Sequence, residues 1–172
     1  VIGLIGSTGE IGQQTLRYLH DKNVAVCLLG RDLSKLQPYI SPPHITTQHF
    51  DFTKPNIKSF NGIKVLLWTL PTNINHALPF EAAWLALAKQ AEIEHIVKLS
   101  VMRTEMDDLF HHRASEQAIE NSGIAYTHLR PNTFMQNFNN YEQDLIKNKH
   151  QLRFPAGEGK TSFIDTRRKL PQ

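Results

Sequence analysis

The stretch from Val1 to Gly12, VIGLIGSTGEIG, decides how the rest of the chain is read. An apolar run from Val1 to Ile5 breaks into Gly6, Gly9 and Gly12, after which Ile11, Thr15, Leu16 and Leu19 recur at helical spacing. The pattern is strand, glycine turn, helix. Such a turn suits a dinucleotide: Gly6 makes the tight turn, Gly9 lets the backbone approach a pyrophosphate, and Gly12 lets the helix pack close to the strand. The N–H groups that open the helix then face the phosphates, with the positive end of the helix dipole behind them. The spacing is G-x-x-G-x-x-G, not the commoner G-x-G-x-x-G, so the chain beyond the turn has to carry part of the reading.

A chain of 172 residues, 40% of them hydrophobic, supports one ordinary core, and the expected organisation is a single domain over 1–172. Nineteen Lys and Arg against sixteen Asp and Glu leave a net charge of only +3, and no dense basic run precedes Arg167, Arg168 and Lys169. That composition excludes nucleic acid as the main partner. The single cysteine, Cys27, lies in the apolar run VAVCLL and is expected as a buried thiol in a reducing compartment. No run approaches the length of a membrane span and Val1 opens a strand instead of a signal peptide, so a soluble, cytoplasmic protein is expected. Nine histidines raise the question of a metal. His111 and His112 are adjacent on a predicted helix and point about 100 degrees apart, with no cysteine or paired carboxylate to complete a set, so no metal site is expected.

After the first helix, closed by Asp21-Lys22-Asn23, the strands VAVCLL, ITTQHF, KVLLWTL, EHIVKLS and IAYTHL follow in turn. A short helix LSKLQ lies after the second strand, and an alanine-rich helix with Phe80, Ala83, Trp84, Leu87 and Ala88 after the fourth. Another helix runs from about Asp107 to Asn121 and ends at Gly123. Parallel strands require crossover helices, and this alternation predicts a doubly wound parallel sheet, a Rossmann-like three-layer αβα fold. Beyond Pro131 the spacing predicts one polar helix over NTFMQNFNNYEQDLI, then a turn flanked by short strands in RFPAGEGKTSFIDT.

Ligands of such sheets bind at the carboxyl ends of the strands, which gathers Gly6, Arg31, Asp51, Thr69 to Pro71 and Ser100 along one edge. Arg31 comes directly after the second strand, where the adenosine ribose is met. A guanidinium there pairs with the 2′-phosphate of NADP, whereas an acid favours the free 2′-hydroxyl of NAD. NADP(H) is the expected cofactor, with NAD(H) as the alternative. Asp32 is expected to cap LSKLQ in preference to touching a ribose.

GSTGEIG, LGRD, HIVKLS, the block HRASEQAIENSGIAYTHLRPNTFMQNF and PAGEGKTSFID together resemble the NmrA-like family of atypical short-chain dehydrogenases/reductases. The resemblance runs over nearly the whole chain, and SGIAYTHLRPNTFMQNF is its most specific part. It implies an NAD(P)-binding Rossmann domain followed by a smaller substrate-binding region. It also implies that Gly6, Thr8, Gly9, Glu10, Ile11 and Gly12 cradle the pyrophosphate and that Arg31 meets the 2′-phosphate. Asp51 and Phe52 would flank the adenine, and Thr69, Leu70 and Pro71 the nicotinamide side. Members usually continue past the FID strand, whereas this chain turns to RRKLPQ, so 131–172 is expected to be an incomplete, truncated substrate-binding region.

The wider superfamily uses a Tyr-x-x-x-Lys pair, and the corresponding place here holds His112 and Glu116. One turn of spacing puts both on one helix face, where an anionic Glu116 raises a neighbour's pKa. His112 is then the candidate acid near neutral pH. Lys98 and Ser100 are alternative catalytic residues, against which stand a Lys98 amine in water at the strand end and a Ser100 that merely lines the cleft. Two functions fit: an NADP(H)-dependent reductase of a small carbonyl or quinone, or a non-catalytic sensor that binds the dinucleotide and signals to a protein partner.

Overall fold

The computed structural model puts the opening apolar run in strand β1 (Ile2–Ile5) and the helix after the glycines in α1 (Glu10–Asp21). It describes residues 1–40, 43–69, 78–106, 110–152 and 158–167. Strand β2 (Val26–Gly30) follows, then β3 (Ile45–His49), β4 (Val65–Trp68), helix α2 (Leu78–Gln90), β5 (His95–Leu99), α3 (Phe110–Asn121) and β6 (Ala125–Leu129). The sheet order is β3-β2-β1-β4-β5-β6. Every pairing is parallel, as the alternation of strands and helices predicts. The chain winds outward from β1 in one direction and from β4 in the other, which makes the β1/β4 boundary the topological switch point.

The two faces of the sheet follow from the alternation of side chains along the strands. Leu4, Val26 and Leu28 pack on one face with Leu16 of α1 and Leu36. Ile5, Cys27, Leu29, Leu66, Trp68 and Ile96 pack on the other, beneath Trp84, Leu85 and Ala88 of α2 and Ile119 of α3. Burial raises the pKa of the Cys27 thiol, against a hydrogen bond with Thr46 that lowers it. Trp84 is fully buried, stacks on Phe50 at 4.2 Å between centroids, and donates its indole N–H to the Phe52 carbonyl at 2.9 Å. Ala83, expected on the apolar stripe, lies at the surface: Glu81, Trp84, Leu85 and Ala88 form the buried face instead.

Crossovers of the expected kind link β1 to β2, β4 to β5 and β5 to β6. Among the described residues the other two connections contain 3₁₀ helices, Leu33–Tyr39 and Ile57–Phe60. The first contains Pro38, which lacks the N–H that a continuing α-helix needs, and the second is a single short turn of the kind this tighter winding favours. Phe50, Phe52 and Phe60 cluster around Trp84 there. No helix among the described residues is long and apolar enough to cross a membrane.

Val1–Arg130 and Pro131–Gln172 are two compact units. Within the second, β7 (Thr133–Phe134) pairs in parallel with β8 (Phe163–Ile164), and Phe138 packs on Phe163 at 5.0 Å. Gln136 donates to Asp165 at 2.6 Å and Asn132 to Ser162 at 2.6 Å. The single helix expected over NTFMQNFNNYEQDLI is instead a strand followed by α4 (Gln136–Tyr141) and α5 (Gln143–Lys149), broken at Glu142. Asn139 and Asn140 are poor helix formers just before the break. Of the predicted turn and strands, 153–157 lie outside the described residues, and β8 pairs with residues before the helices.

Candidate cofactor site

The three glycines of the first turn occupy three different environments. Gly6 has φ +75, a left-handed backbone that glycine adopts without strain, and a Cβ there would collide with the Thr69 hydroxyl. That hydroxyl donates to the Ile5 carbonyl at 2.6 Å and so ties the ends of β1 and β4 together at the switch point. A Cβ on Gly12 would strike the Gly6 carbonyl oxygen and come within 2.7 Å of the Ser7 Cα, so close helix-to-turn packing requires glycine there. Gly9 differs: at φ −79 an added Cβ would meet only the Gly6 oxygen, at 3.4 Å.

Gly9 is also the N-cap of α1, and no side chain among the described residues caps it. The first N–H groups of a helix have no partner within it, so those of Ile11 and Gly12 are available to an anion. The Ser7 hydroxyl is buried at the turn without a hydrogen-bond partner among the described residues. An open position at Gly9, free helix N–H groups and an orphaned hydroxyl fit a phosphate-bearing group. The Thr8 carbonyl accepts from Gln13 at 3.0 Å, and the exposed Glu10 carboxylate accepts from Gln14 at 3.3 Å.

Along the same edge, Arg31 and Asp32 follow β2. Asp32 caps the 3₁₀ helix, accepting the Ser34 N–H at 3.0 Å and the Ser34 hydroxyl at 2.6 Å, which lowers its pKa. Arg31 is exposed and forms no ion pair or hydrogen bond among the described residues. Asp51 follows β3. Burial pushes its carboxyl up, but the Thr53 N–H at 3.0 Å and hydroxyl at 2.8 Å, with the charge of Arg31, hold it below its ordinary value. The half-buried Phe52 meets Phe50 edge-on at 5.1 Å. Thr69 follows β4 at the same edge, while Leu70 and Pro71 lie outside the described residues.

The expected catalytic residues surround a buried polar cluster. Lys98 is 0% exposed, so its amine does not stand in water at the strand end. Burial brings it down to about 8, against the charges of Glu81 and Glu116. Glu81 of α2 is also buried and accepts from Trp68 Nε1 at 3.0 Å and Ser115 Oγ at 2.5 Å; desolvation raises its pKa.

Glu116 is wholly buried too, and it joins three segments. Arg130 donates to its two oxygens at 2.9 and 2.7 Å, Arg113 at 3.2 Å and the Thr104 hydroxyl at 3.2 Å. Burial would raise the Glu116 pKa, yet Arg130, Ser100 and Arg113 together lower it to about 2. The Ser100 hydroxyl is buried on the same side and makes no hydrogen bond among the described residues. Thr104 and Glu105, the latter paired with Arg130 at 3.1 Å, hold the loop in which Arg103 adopts φ +62. An arginine in the left-handed region persists where its surroundings over-determine it.

His112 is half-buried and differs from expectation. Burial, then the positive charges of Lys98 and His111, push it down to about 4, outweighing Glu116. The ring is neutral at pH 7, so His112 is not an imidazolium acid there; Glu116 is engaged by two guanidinium groups and does not reverse this. Sequence reasoning missed Ser7, Glu81 and Arg130. Ser7 was within reach, as the polar residue inside the glycine turn. Glu81 carried no signal, because its partners lie on other elements.

Comparison with known proteins shows the family and the fold. The chain is 28% identical over 173 residues to an NAD(P)H azoreductase of Xenophilus azovorans, covering 97% of this chain and 59% of that protein. Its fold matches the triphenylmethane reductase of Citrobacter sp. complexed with NADP(H), with TM-score 0.72 and 23% identity over 80% of this chain and 51% of that one. It also matches an NADPH-dependent quinone oxidoreductase of Escherichia coli complexed with NADPH, with TM-score 0.77 and 20% identity over 87% of this chain and 55% of that one. The chain spans 54% to 59% of the length of the curated relatives it matches. A family model described as NAD(P)H-binding matches residues 6–158, and the chain belongs to that family.

Proposed function

We propose that this chain is the cofactor-binding part of an NADP(H)-dependent reductase acting on a small carbonyl or quinone-type acceptor. The observation that carries the cofactor preference is the division of labour after β2: Asp32 is engaged by Ser34, while Arg31 stands without an ion pair among the described residues. A guanidinium so placed suits a 2′-phosphate. Gly6, Thr8, Gly9, Glu10, Ile11 and Gly12, with the Ser7 hydroxyl, would hold the pyrophosphate. Asp51 and Phe52 would hold the adenine, with Thr69 on the nicotinamide side, the role also proposed for Leu70 and Pro71.

When bound, NADPH supplies the hydride. His112 would then serve as a hydrogen-bond donor to the oxygen that gains charge, with Ser100 and Lys98 behind it, and the proton that completes the reduction would come from solvent. The reductase reading draws support from the azoreductase relative and the quinone oxidoreductase fold match. Residues 131–172 would contribute to the substrate region. The free, buried Cys27 thiol suits a reducing, cytoplasmic setting. The test is NADPH oxidation at 340 nm with a quinone, an azo dye and a small aldehyde, each with wild type and Gly9→Val. Turnover that the variant loses supports a reductase; turnover unaffected by Gly9→Val, or none with any acceptor, contradicts it.

A further inference from the structure

In the loop that follows β5, the polar residue is inside and the apolar ones are outside. Thr104 is 1% exposed, whereas Met102 and Met106 are 46% and 48% exposed. A buried hydroxyl is tolerated where it is hydrogen-bonded. The Thr104 hydroxyl is bonded, to Glu116 of α3 at 3.2 Å.

Glu116 and Arg130 together tie this loop down. The wholly buried carboxylate accepts from Arg130 Nε at 2.9 Å and Nη2 at 2.7 Å. The remaining guanidinium nitrogen, Nη1, donates to Glu105 at 3.1 Å. Consecutive loop residues are thus bonded to the two members of one ion pair. Arg103, just before them, is held at φ +62, and the Met106 N–H donates to its carbonyl at 3.1 Å to close the turn. A buried ion pair and a left-handed arginine are both costly. Packing α3 on the sheet needs neither, since Ile119 lies in the apolar core. Both costs go into one conformation of one loop.

The place of the loop indicates what that conformation serves. Strand β5 runs parallel to β4, and β4 to β1, so the loop leaves the sheet at the same edge as the glycine turn and Thr69. Arg31 follows β2, on the other side of the β1/β4 switch point. With the adenosine end of a dinucleotide toward Arg31, its reacting end and the acceptor fall on the β5 side of the crevice. Two methionines stand exposed there. Thioethers are soft and polarizable and pack favourably against aromatic and similar flat rings.

We propose that Glu116 and Arg130 are positioning residues that lock the loop Ser100–Met106, and that the locked loop offers Met102 and Met106 as specificity-determining contacts for an acceptor with a flat ring. The acceptor contact rests on the reductase reading above; the lock is a property of the unliganded chain.

Amide hydrogen exchange on the unliganded chain tests the lock. The Met106 N–H should exchange about tenfold or more faster in Thr104→Val and in Arg130→Lys, as local opening predicts, while Thr104→Ser, which keeps the hydroxyl, behaves as wild type. NMR of the methionine methyl groups tests the contact, with duroquinone as probe and the chain saturated with NADP⁺, which cannot reduce it. The Met102 and Met106 signals, assigned from Met102→Leu and Met106→Leu, should both shift under the ring, and Thr104→Val should need more duroquinone for the same shift. In turnover, the double variant Met102→Ser, Met106→Ser should raise the KM for duroquinone about tenfold more than that for propanal, the size of two lost sulfur–ring contacts. Exchange at Met106 unchanged in both loosened variants overturns the lock. Methyl signals unmoved by duroquinone, or equal KM changes for the two acceptors, overturn the contact. Should Thr104→Val fail to fold, Arg130→Lys and the wild-type methyl shifts still decide. A chain that binds no NADP⁺ contradicts the cofactor reading instead, and the same methyl signals are then read with duroquinone alone; a chain without turnover contradicts the reductase reading and leaves the exchange and methyl results standing.

Discussion

Asp32 accepts both the N–H and the hydroxyl of Ser34, at 3.0 and 2.6 Å, and is thereby engaged at the start of a 3₁₀ helix. The residue before it, Arg31, has no ion pair among the described residues but is near enough to lower the Asp51 carboxyl. Two adjacent charges after one strand thus have different duties. Asp32→Ala should lower the Tm of the chain while leaving the ratio of NADPH to NADH affinity as it is. A ratio that moves toward NADPH would make Asp32 a ribose contact after all.

Arg31→Ala should weaken NADPH by about ten- to a hundredfold, the size of a lost charge-assisted hydrogen bond, and scarcely change NADH. The loss should shrink at high salt, because Arg31 is exposed and its charge is screened. Calorimetric dissociation constants for both cofactors at two ionic strengths measure this.

Gly9 and Gly12 should respond differently to a side chain. Gly9→Val places its Cβ 3.4 Å from the Gly6 oxygen in an otherwise open position, so the variant should fold and lose NADPH binding. Gly12→Val drives a branched side chain into the Gly6 carbonyl and should unfold or strongly destabilise the chain. Circular dichroism and thermal melts separate the outcomes; equal stability of the two variants contradicts the packing role of Gly12.

The glycine turn, the alternation of strands and helices and the cap at Asp32 were legible because they rest on local rules: period, turn chemistry and residues adjacent in sequence. The buried cluster was not. In HIVKLS, Lys98 alternates with apolar neighbours as a solvent-facing residue would, yet β5 lies inside the sheet under α2 and α3, and its counter-ion Glu81 comes from another helix. His112 was misread for a related reason. Helical spacing shows Glu116 as its neighbour, but not the burial that chiefly lowers the ring, nor that Arg130, from beyond β6, occupies that carboxylate. The 3₁₀ connections depended on how little chain spans β2 to β3, which periodicity does not measure.

Acid should destabilise the first unit in two steps. The His112 value of about 4 lies below its ordinary 6.5, so the unfolded chain takes up that proton first and stability falls as pH drops between them. The Glu116 value of about 2 lies below its ordinary 4.5, so its contribution is present above the latter and is lost as pH falls toward 2. Denaturant midpoints measured against pH should decline from about pH 6.5 downward, the range set by an ordinary histidine. Glu116→Gln should flatten the lower part of the curve and leave the upper part. Burial raises the Glu81 carboxyl, which acts with the opposite sign in this range, so His112→Ala is the control: a curve that this variant leaves unchanged between pH 6.5 and 4 contradicts the assigned His112 charge state.

The most direct measurement is the affinity of the wild-type chain for NADPH and NADH, by calorimetry at low ionic strength. A phosphate cradle at Gly6 to Gly12 with Arg31 at the 2′-phosphate predicts saturable one-site binding of NADPH, about tenfold or more tighter than NADH. NADH bound as tightly as NADPH, or neither bound at all, would contradict the account.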